Sequence, residues 1–436
     1  MKNDLRTFFI TPLTKERSRP PNIIPLHPLT QPPMRKFTPR LKRIGTEDAF
    51  SVMAKANKFE QEELAPKGEK LIRLQIGEPA FDTPQNIKDA AIKAINDNQT
   101  HYTPPPGMPK VRQAIADYST KMTGTKYEMD DVVVHAGAKP CIFYTLNATI
   151  DEGDEVIIFD PAWPIYASVT NYLGGKPVFV GLKEELGFQP DIEEVKKAIT
   201  DKTVAMVVNT PSNPTGGVFD EKTLNELAKL AVEHDFWVIS DEIYDNIVFE
   251  GKHISITLMP GMAERTVLLN GASKTFAMTG WRMGWSVTKN KEMKAAIEQI
   301  QINDVSCPAA INQLAVLEAV SSPKSFEDVE KMRQGYLARR DLITKLVNEI
   351  PGFSAAAPKG TFYLFANVKP LLEKLGGITV KELADKIMRE AKVLLLHGSG
   401  FGPHGEGFIR FSFVSSETDI QEGCRRIKDW AEKIMG

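Results

Sequence analysis

Thr266-Val267-Leu268-Leu269-Asn270-Gly271-Ala272-Ser273-Lys274-Thr275-Phe276-Ala277-Met278-Thr279-Gly280-Trp281-Arg282 is the stretch whose reading decides the fold. Its first four residues are strand formers, so Lys274 falls just past the end of an expected strand. In open α/β sheets, ligands bind outside the carboxyl ends of the strands. A lysine is ordinarily a solvated surface charge. Here small residues flank it, and the Gly280-Trp281-Arg282-Met283-Gly284 segment that follows is too apolar for an exposed face.

On either side of this stretch the chain alternates between strand and helix patterns. Apolar runs at 132–134, 155–159, 177–180, 204–208 and 236–240 read as strands, and 109–122, 141–150 and 221–234 read as helices. Near-continuous apolar strands separated by helices imply a mostly parallel sheet covered on both faces, hence an α/β fold. Three more points fall after strands of that sheet. Ala136-Gly137-Ala138-Lys139-Pro140 is a small-residue turn opening a helix, a layout that aims free N–H groups and a helix dipole at an anion. Asn213 follows the 204–208 strand, and Asp241-Glu242-Ile243-Tyr244 follows the 236–240 strand. Each feature is common alone; together at strand ends they fit a single crevice.

Before the sheet, residues 45–62 have helical spacing, and 71–76 reads as a short strand closed by Gly77, where a glycine permits close backbone approach. His101-Tyr102-Thr103-Pro104-Pro105-Pro106-Gly107 is a rigid loop, because proline fixes φ and removes a donor. After the lysine stretch, helices dominate to about residue 347. Residues 352–436 then read as a smaller α+β unit with one solvated face, containing Phe408-Ile409-Arg410-Phe411-Ser412. Residues 1–33 are proline-rich without period, so a disordered lead is expected. The basic first 45 residues leave room for a transit peptide, though no amphipathic helix is visible. Met34-Arg35-Lys36 reads as a natural start, which makes the lead an extension without function. The expected units are 1–33, an N-terminal segment 34–75, a large domain 76–325 and a small domain 326–436.

Bulk properties narrow the function. With 436 residues, 42% hydrophobic and 25% charged, the chain is long enough for two domains. A formal net charge of −2 gives no global field for nucleic acid or an anionic membrane. No apolar run approaches the roughly 18 residues of a spanning helix. Cys141, Cys307 and Cys424 are too scattered for a disulfide framework, and no Cys/His spacing reads as a metal site. A reducing compartment follows, the cytoplasm.

In combination, Asn209-Thr210-Pro211-Ser212-Asn213-Pro214-Thr215-Gly216-Gly217, Ser240-Asp241-Glu242-Ile243-Tyr244, the 273–282 stretch and Phe408-Ile409-Arg410-Phe411-Ser412 resemble the class I/II aminotransferases of fold type I. The resemblance runs over residues 40–436 and is strongest to the branch holding aspartate aminotransferases of non-enteric prokaryotes. It implies pyridoxal 5′-phosphate as cofactor, with Lys274 carrying the aldehyde as an imine and then shuttling a proton. Asp241 would pair with the pyridine nitrogen, Asn213 and Tyr244 would bond the phenolic oxygen, and Trp163 would stack on the ring. The N–H groups of Ala138 and Lys139, with Arg282, would hold the phosphate. Tyr102 would reach the phosphate of a neighbouring subunit, implying a homodimer with shared active sites. Arg410 would grip the substrate α-carboxylate through its planar fork, and Gly77 would lie over the same site. An amino acid and a 2-oxo acid, 2-oxoglutarate foremost, would be the small-molecule partners, with neither nucleic acid nor membrane involved.

The match departs at two places. Gly271 stands where many relatives have a phosphate-binding serine. In aspartate-using members a lysine at the position of Lys139 helps read the distal carboxylate, together with a hydroxyl residue that aligns with Ala49 here. Glu47 and Asp48 lie close by and would disfavour an acidic side chain by like-charge repulsion. Aspartate is the first expected donor, with alanine, aromatic or broad specificity as alternatives and a lyase or decarboxylase on the same fold as another. A ligand-binding regulator built on this domain would carry a winged helix before it, for which a proline-rich lead of 33 residues is too short.

Overall fold

The computed structural model describes residues 36–45 and 47–436, so the expectation of a disordered 1–33 lies outside the described residues. In chain order the strands are β1 (Ile72–Arg73), β2 (Val132–His135), β3 (Glu155–Asp160), β4 (Lys176–Lys183), β5 (Gln189–Pro190), β6 (Thr203–Asn209), β7 (Trp237–Asp241), β8 (Thr266–Gly271), β9 (Gly284–Val287), β10 (Tyr363–Asn367), β11 (Val393–Leu394), β12 (Leu396–His397) and β13 (Phe408–Ser412). The first four α-helices are α1 (Asp48–Phe59), α2 (Gln85–Asn96), α3 (Pro109–Thr123) and α4 (Ala138–Thr149), of which α1 and α4 reach the site.

The large sheet has eight strands in the order β2-β9-β8-β7-β6-β3-β4-β5. The run β8-β7-β6-β3-β4 is parallel, and β9 and β5 run against their neighbours. Because β2 is antiparallel to β9 and β9 to β8, β2 points the same way as β8. The ends of β2, β6, β7 and β8 therefore open on one edge.

Period-two alternation explains why these strands are apolar throughout. Val156 and Ile158 of β3, with Ala205 and Val207 of β6, join a cluster under α4 and the helix Lys291–Val305. Ile157, Phe159, Met206 and Val208 face the other way, against Leu224, Leu227 and Leu230 of the helix Glu221–Glu233. That helix starts where Asp220 accepts a hydrogen bond from Thr223 N at 2.7 Å, capping an otherwise free amide.

The smaller part is built on the antiparallel sheet β10-β13-β12, backed by the long helices Pro323–Asn348 and Glu417–Met435. Within the 71–76 run β1 pairs parallel to β11, and Ser412 N donates to the Leu74 carbonyl at 2.7 Å, so the N-terminal segment is tied to the C-terminal part. One expectation is corrected here. The small sheet has no solvated face, because β13 is buried at every residue. Phe408 joins the large-sheet core, while Ile409, Phe411 and Phe413 join the C-terminal core.

Sheet and site meet at Gly284 of β9. A Cβ there would lie 2.5 Å from both Ala138 N and Gly137 C, backbone atoms that cannot turn aside. Gly284→Ala should lower stability by about 1–3 kcal/mol through overpacking. Gly280→Ala meets nothing within 4 Å and should stay within about 0.5 kcal/mol of the parent. Thermal melts of the two variants check this; equal melting temperatures would contradict it.

Candidate functional site

Lys274 sits on a single helical turn, Ala272–Thr275, directly after β8. Its Nζ donates to the Gly77 carbonyl and lies 5.7 Å from the Phe362 ring centre and 6.0 Å from that of Tyr244. Burial, and then the positive charge of Arg410, push its pKa down to about 8. A lysine in this state is partly uncharged near neutral pH and can act as a base.

Asp241 ends β7 and is 2% exposed. Its carboxylate accepts from Tyr166 Oη at 2.6 Å and from Ile243 N at 3.2 Å, and no cation pairs with it among the described residues. Burial raises its pKa to about 6, against the pull of the Tyr166 bond. Asn209 closes β6, donating from Nδ2 to the Asp241 carbonyl at 3.1 Å and accepting from Asn213 N at 3.0 Å. Two neighbouring strand ends are thereby locked together.

Arg410 reaches this edge from β13. Its Nη1 donates to Asn213 Oδ1 at 2.8 Å and its Nη2 to the Gln75 carbonyl at 2.9 Å. The guanidinium carbon lies 4.1 Å from the Tyr363 ring centre and 4.8 Å from that of Phe401. Its Nε is buried without a hydrogen-bond partner among the described residues. Tyr363 Oη in turn lies 3.1 Å from Tyr244 Oη.

The start of α4 completes the edge. Gly137 precedes the helix at φ +106°, a conformation that favours glycine, and no side chain caps the first turn. A Cβ on Gly137 would lie 2.4 Å from Arg282 Nη2, so the missing side chain makes room for the guanidinium. Arg282 Nη1 donates to the Thr279 carbonyl at 2.9 Å. Uncapped amides facing a guanidinium make an anion cradle.

A cavity of about 550 Å³ unites these groups. Its wall includes Gly77, Ala138, Lys139, Trp163, Asn213, Asp241, Tyr244, Lys274, Arg282 and Arg410, ten of the residues singled out in the sequence. Tyr102 is the exception. It is 92% exposed and outside that wall, so within one chain it contributes nothing to the cavity. Three residues that shape the site had no expected role in it: Tyr166, Asn209 and Tyr363. Tyr363 and Tyr166 read as ordinary core aromatics, and only their hydroxyl partners distinguish them. Asn209 stands at the head of a quoted motif, where its strand-end position was the available signal.

The donor set fits pyridoxal 5′-phosphate. A buried carboxylate lacking a cation matches a protonated ring nitrogen, the uncapped turn with Arg282 matches a phosphate, and an amine of lowered pKa matches an aldehyde.

Comparison with known proteins agrees with this donor set. Residues 69–427 match the family described as aminotransferase class I and II. An aspartate aminotransferase of Pyrococcus abyssi is 40% identical over 367 residues, covering 84% of this chain and 92% of that protein. An aromatic-amino-acid aminotransferase of Thermococcus litoralis is 38% identical, covering 86% and 94%. Among solved structures, the aspartate aminotransferase from Thermus thermophilus with maleate superimposes with a TM-score of 0.85 at 36% identity, covering 91% of this chain and 100% of that one.

The raised pKa of Asp241 has a measurable consequence without any ligand. Between its unfolded value near 3.8 and its folded value of about 6, the folded protein binds more protons than the unfolded chain. Stability from this group is therefore lost as pH rises through that window. At about 1.4 kcal/mol per unit, the ionised carboxylate costs about 3 kcal/mol at neutral pH. Asp241→Asn should remove this component in denaturant titrations of cofactor-free protein from pH 4 to 7. Parallel pH slopes for variant and parent would contradict it.

Proposed function

The chain belongs to the aminotransferase class I and II family, and from that premise we propose that its cavity holds pyridoxal 5′-phosphate and moves an amino group from an L-amino acid to a 2-oxo acid. The observation that carries the reading is the placement of a partly buried amine of lowered pKa, Lys274, and a buried, cation-free carboxylate, Asp241, at adjacent strand ends. Bound there, the cofactor supplies an electron sink for the pair left when the substrate Cα loses its proton.

The chain's own groups do the rest. Asp241, held by Tyr166 and Ile243 N, accepts a hydrogen bond from a protonated ring nitrogen and keeps that proton in place. The first-turn amides of α4, at Ala138 and Lys139, with Arg282, fix the phosphate and so the orientation of the ring. Asn213 and Tyr244 would bond the ring's phenolic oxygen, and Trp163 would cover a face of the ring. Lys274 Nζ would take the proton from the substrate Cα and deliver it to the carbon that had been the cofactor's aldehyde. Arg410, clamped by Asn213 and the Gln75 carbonyl, presents its remaining donors to the α-carboxylate beneath Gly77. Tyr102, exposed on one chain, reaches the site of a second copy in a homodimer. Aspartate is the first donor to test, because Lys139 offers a further cation in the cavity wall.

The test is a panel of amino acids against the holoenzyme, followed by 2-oxoglutarate. An amino acid should bleach the cofactor's visible absorbance and the oxo acid should restore it; failure of the second step would favour a lyase. Lys274→Ala should abolish both steps, and turnover at the parental rate would refute its role. Arg410→Lys should lose about 2–3 kcal/mol of charge-assisted bonding, or roughly a hundredfold in kcat/KM. An unchanged value would remove Arg410 from the substrate site.

A further inference from the structure

Four cations line the cavity: Lys139, Lys274, Arg282 and Arg410. With the α-carboxylate on Arg410, the phosphate on Arg282 and Lys274 at the reacting carbon, Lys139 is the cation left for a second substrate carboxylate. That cation is already taken. Its Nζ donates to Glu47 Oε1, a residue just before α1, while Glu47 Oε2 accepts from Trp163 Nε1 at 3.0 Å. Lys139 Nζ also lies 5.1 Å from the Trp163 ring centre. Asp48 does not share this role, because its carboxylate lies 3.3 Å from His397 and 3.7 Å from Lys381. One carboxylate of the chain thus stands where a dicarboxylic substrate would need to put its own.

Resting on the aminotransferase reading above, we propose that Glu47 is a specificity-determining residue that substitutes for the substrate's distal carboxylate on Lys139. When the substrate side chain is neutral, Glu47 stays on Lys139 and keeps its ammonium paired. When the substrate is a dicarboxylate, its distal group displaces Glu47. The pair suits such an exchange. Its side chains are 40% and 20% exposed, and an ion pair in that setting contributes only about 0–1 kcal/mol, so a competing carboxylate can replace it. Trp163 gives the released Glu47 no new partner but holds it in register for return. The arrangement lets one cavity alternate between neutral and acidic side chains, as an enzyme with two unlike substrates must.

The proposal predicts opposite effects on two substrate classes. Glu47→Gln keeps an acceptor for Trp163 and removes the charge that competes for Lys139. In the holoenzyme, kcat/KM for aspartate relative to alanine should rise about two- to fivefold, the range that one half-exposed ion pair allows. Succinate, which does not react, should bind about two- to fivefold tighter by calorimetry, and Glu47→Gln/Lys139→Met should lose that gain. Glu47→Asp, which keeps the charge, should stay close to the parent in both measurements. A ratio that is unchanged or lower, an equal loss for both substrates, or unaltered succinate affinity would overturn the role of Glu47. If no amino acid reacts with the parent enzyme, the aminotransferase reading fails, and succinate binding still decides whether Glu47 competes for Lys139.

Discussion

A carboxylate buried at the end of a central strand with no cation beside it is the constraint on which the rest of the site depends. Asp241 is 2% exposed, and ionised groups in that position are stabilised only by hydrogen bonds or a bound positive charge. Tyr166 and the Ile243 amide supply two hydrogen bonds, which leave its pKa raised to about 6. The protein therefore carries a built-in preference for a proton-bearing ligand at that point. The geometry around it follows from the same need: β6 and β8 flank β7, and their ends place Asn209 and Lys274 on either side of the carboxylate.

The small sheet contributes Arg410 together with Tyr363, Leu396 and His397. Arg410 lies on a strand otherwise aromatic or aliphatic apart from Ser412, and it points into the cavity while Phe408, Ile409 and Phe411 fill the two cores. Burying a guanidinium is costly unless its donors are used. Asn213 from the large-sheet edge and the Gln75 carbonyl from the N-terminal segment use two of them. The setting of this arginine is thus assembled from three separated parts of the chain, which makes it sensitive to how those parts pack.

The strands of the large sheet were legible because two-sided burial leaves continuous apolar runs, such as Val204 to Val208 and Val238 to Ile239. β9 was not: Gly284-Trp285-Ser286-Val287 is short and follows a stretch that already carried the lysine motif. The two-sided burial of β13 was hidden too, since alternation of Arg410 and Ser412 with phenylalanines looks like a half-solvated strand when the packing partner is out of view. Of the ten cavity residues, Gly77, Ala138, Lys139, Asn213, Asp241, Tyr244 and Lys274 were readable from motifs at strand ends, and Trp163, Arg282 and Arg410 from the family resemblance. The hydroxyls that tune them were not, because Tyr166 is 75 residues from Asp241 and nothing local marks the pair. The carboxylates beside Lys139 were visible in sequence, yet only the structure separates Glu47, bonded to Lys139, from Asp48, turned toward His397 and Lys381.

The central claim is that Lys274 and Asp241 form one cofactor site. Borohydride reduction of the protein after addition of pyridoxal 5′-phosphate, followed by peptide mass mapping, tests it most directly. The account predicts a single pyridoxyl group on Lys274, with much weaker labelling in Asp241→Ala. Label spread over surface lysines, or on Lys139 in place of Lys274, would contradict it.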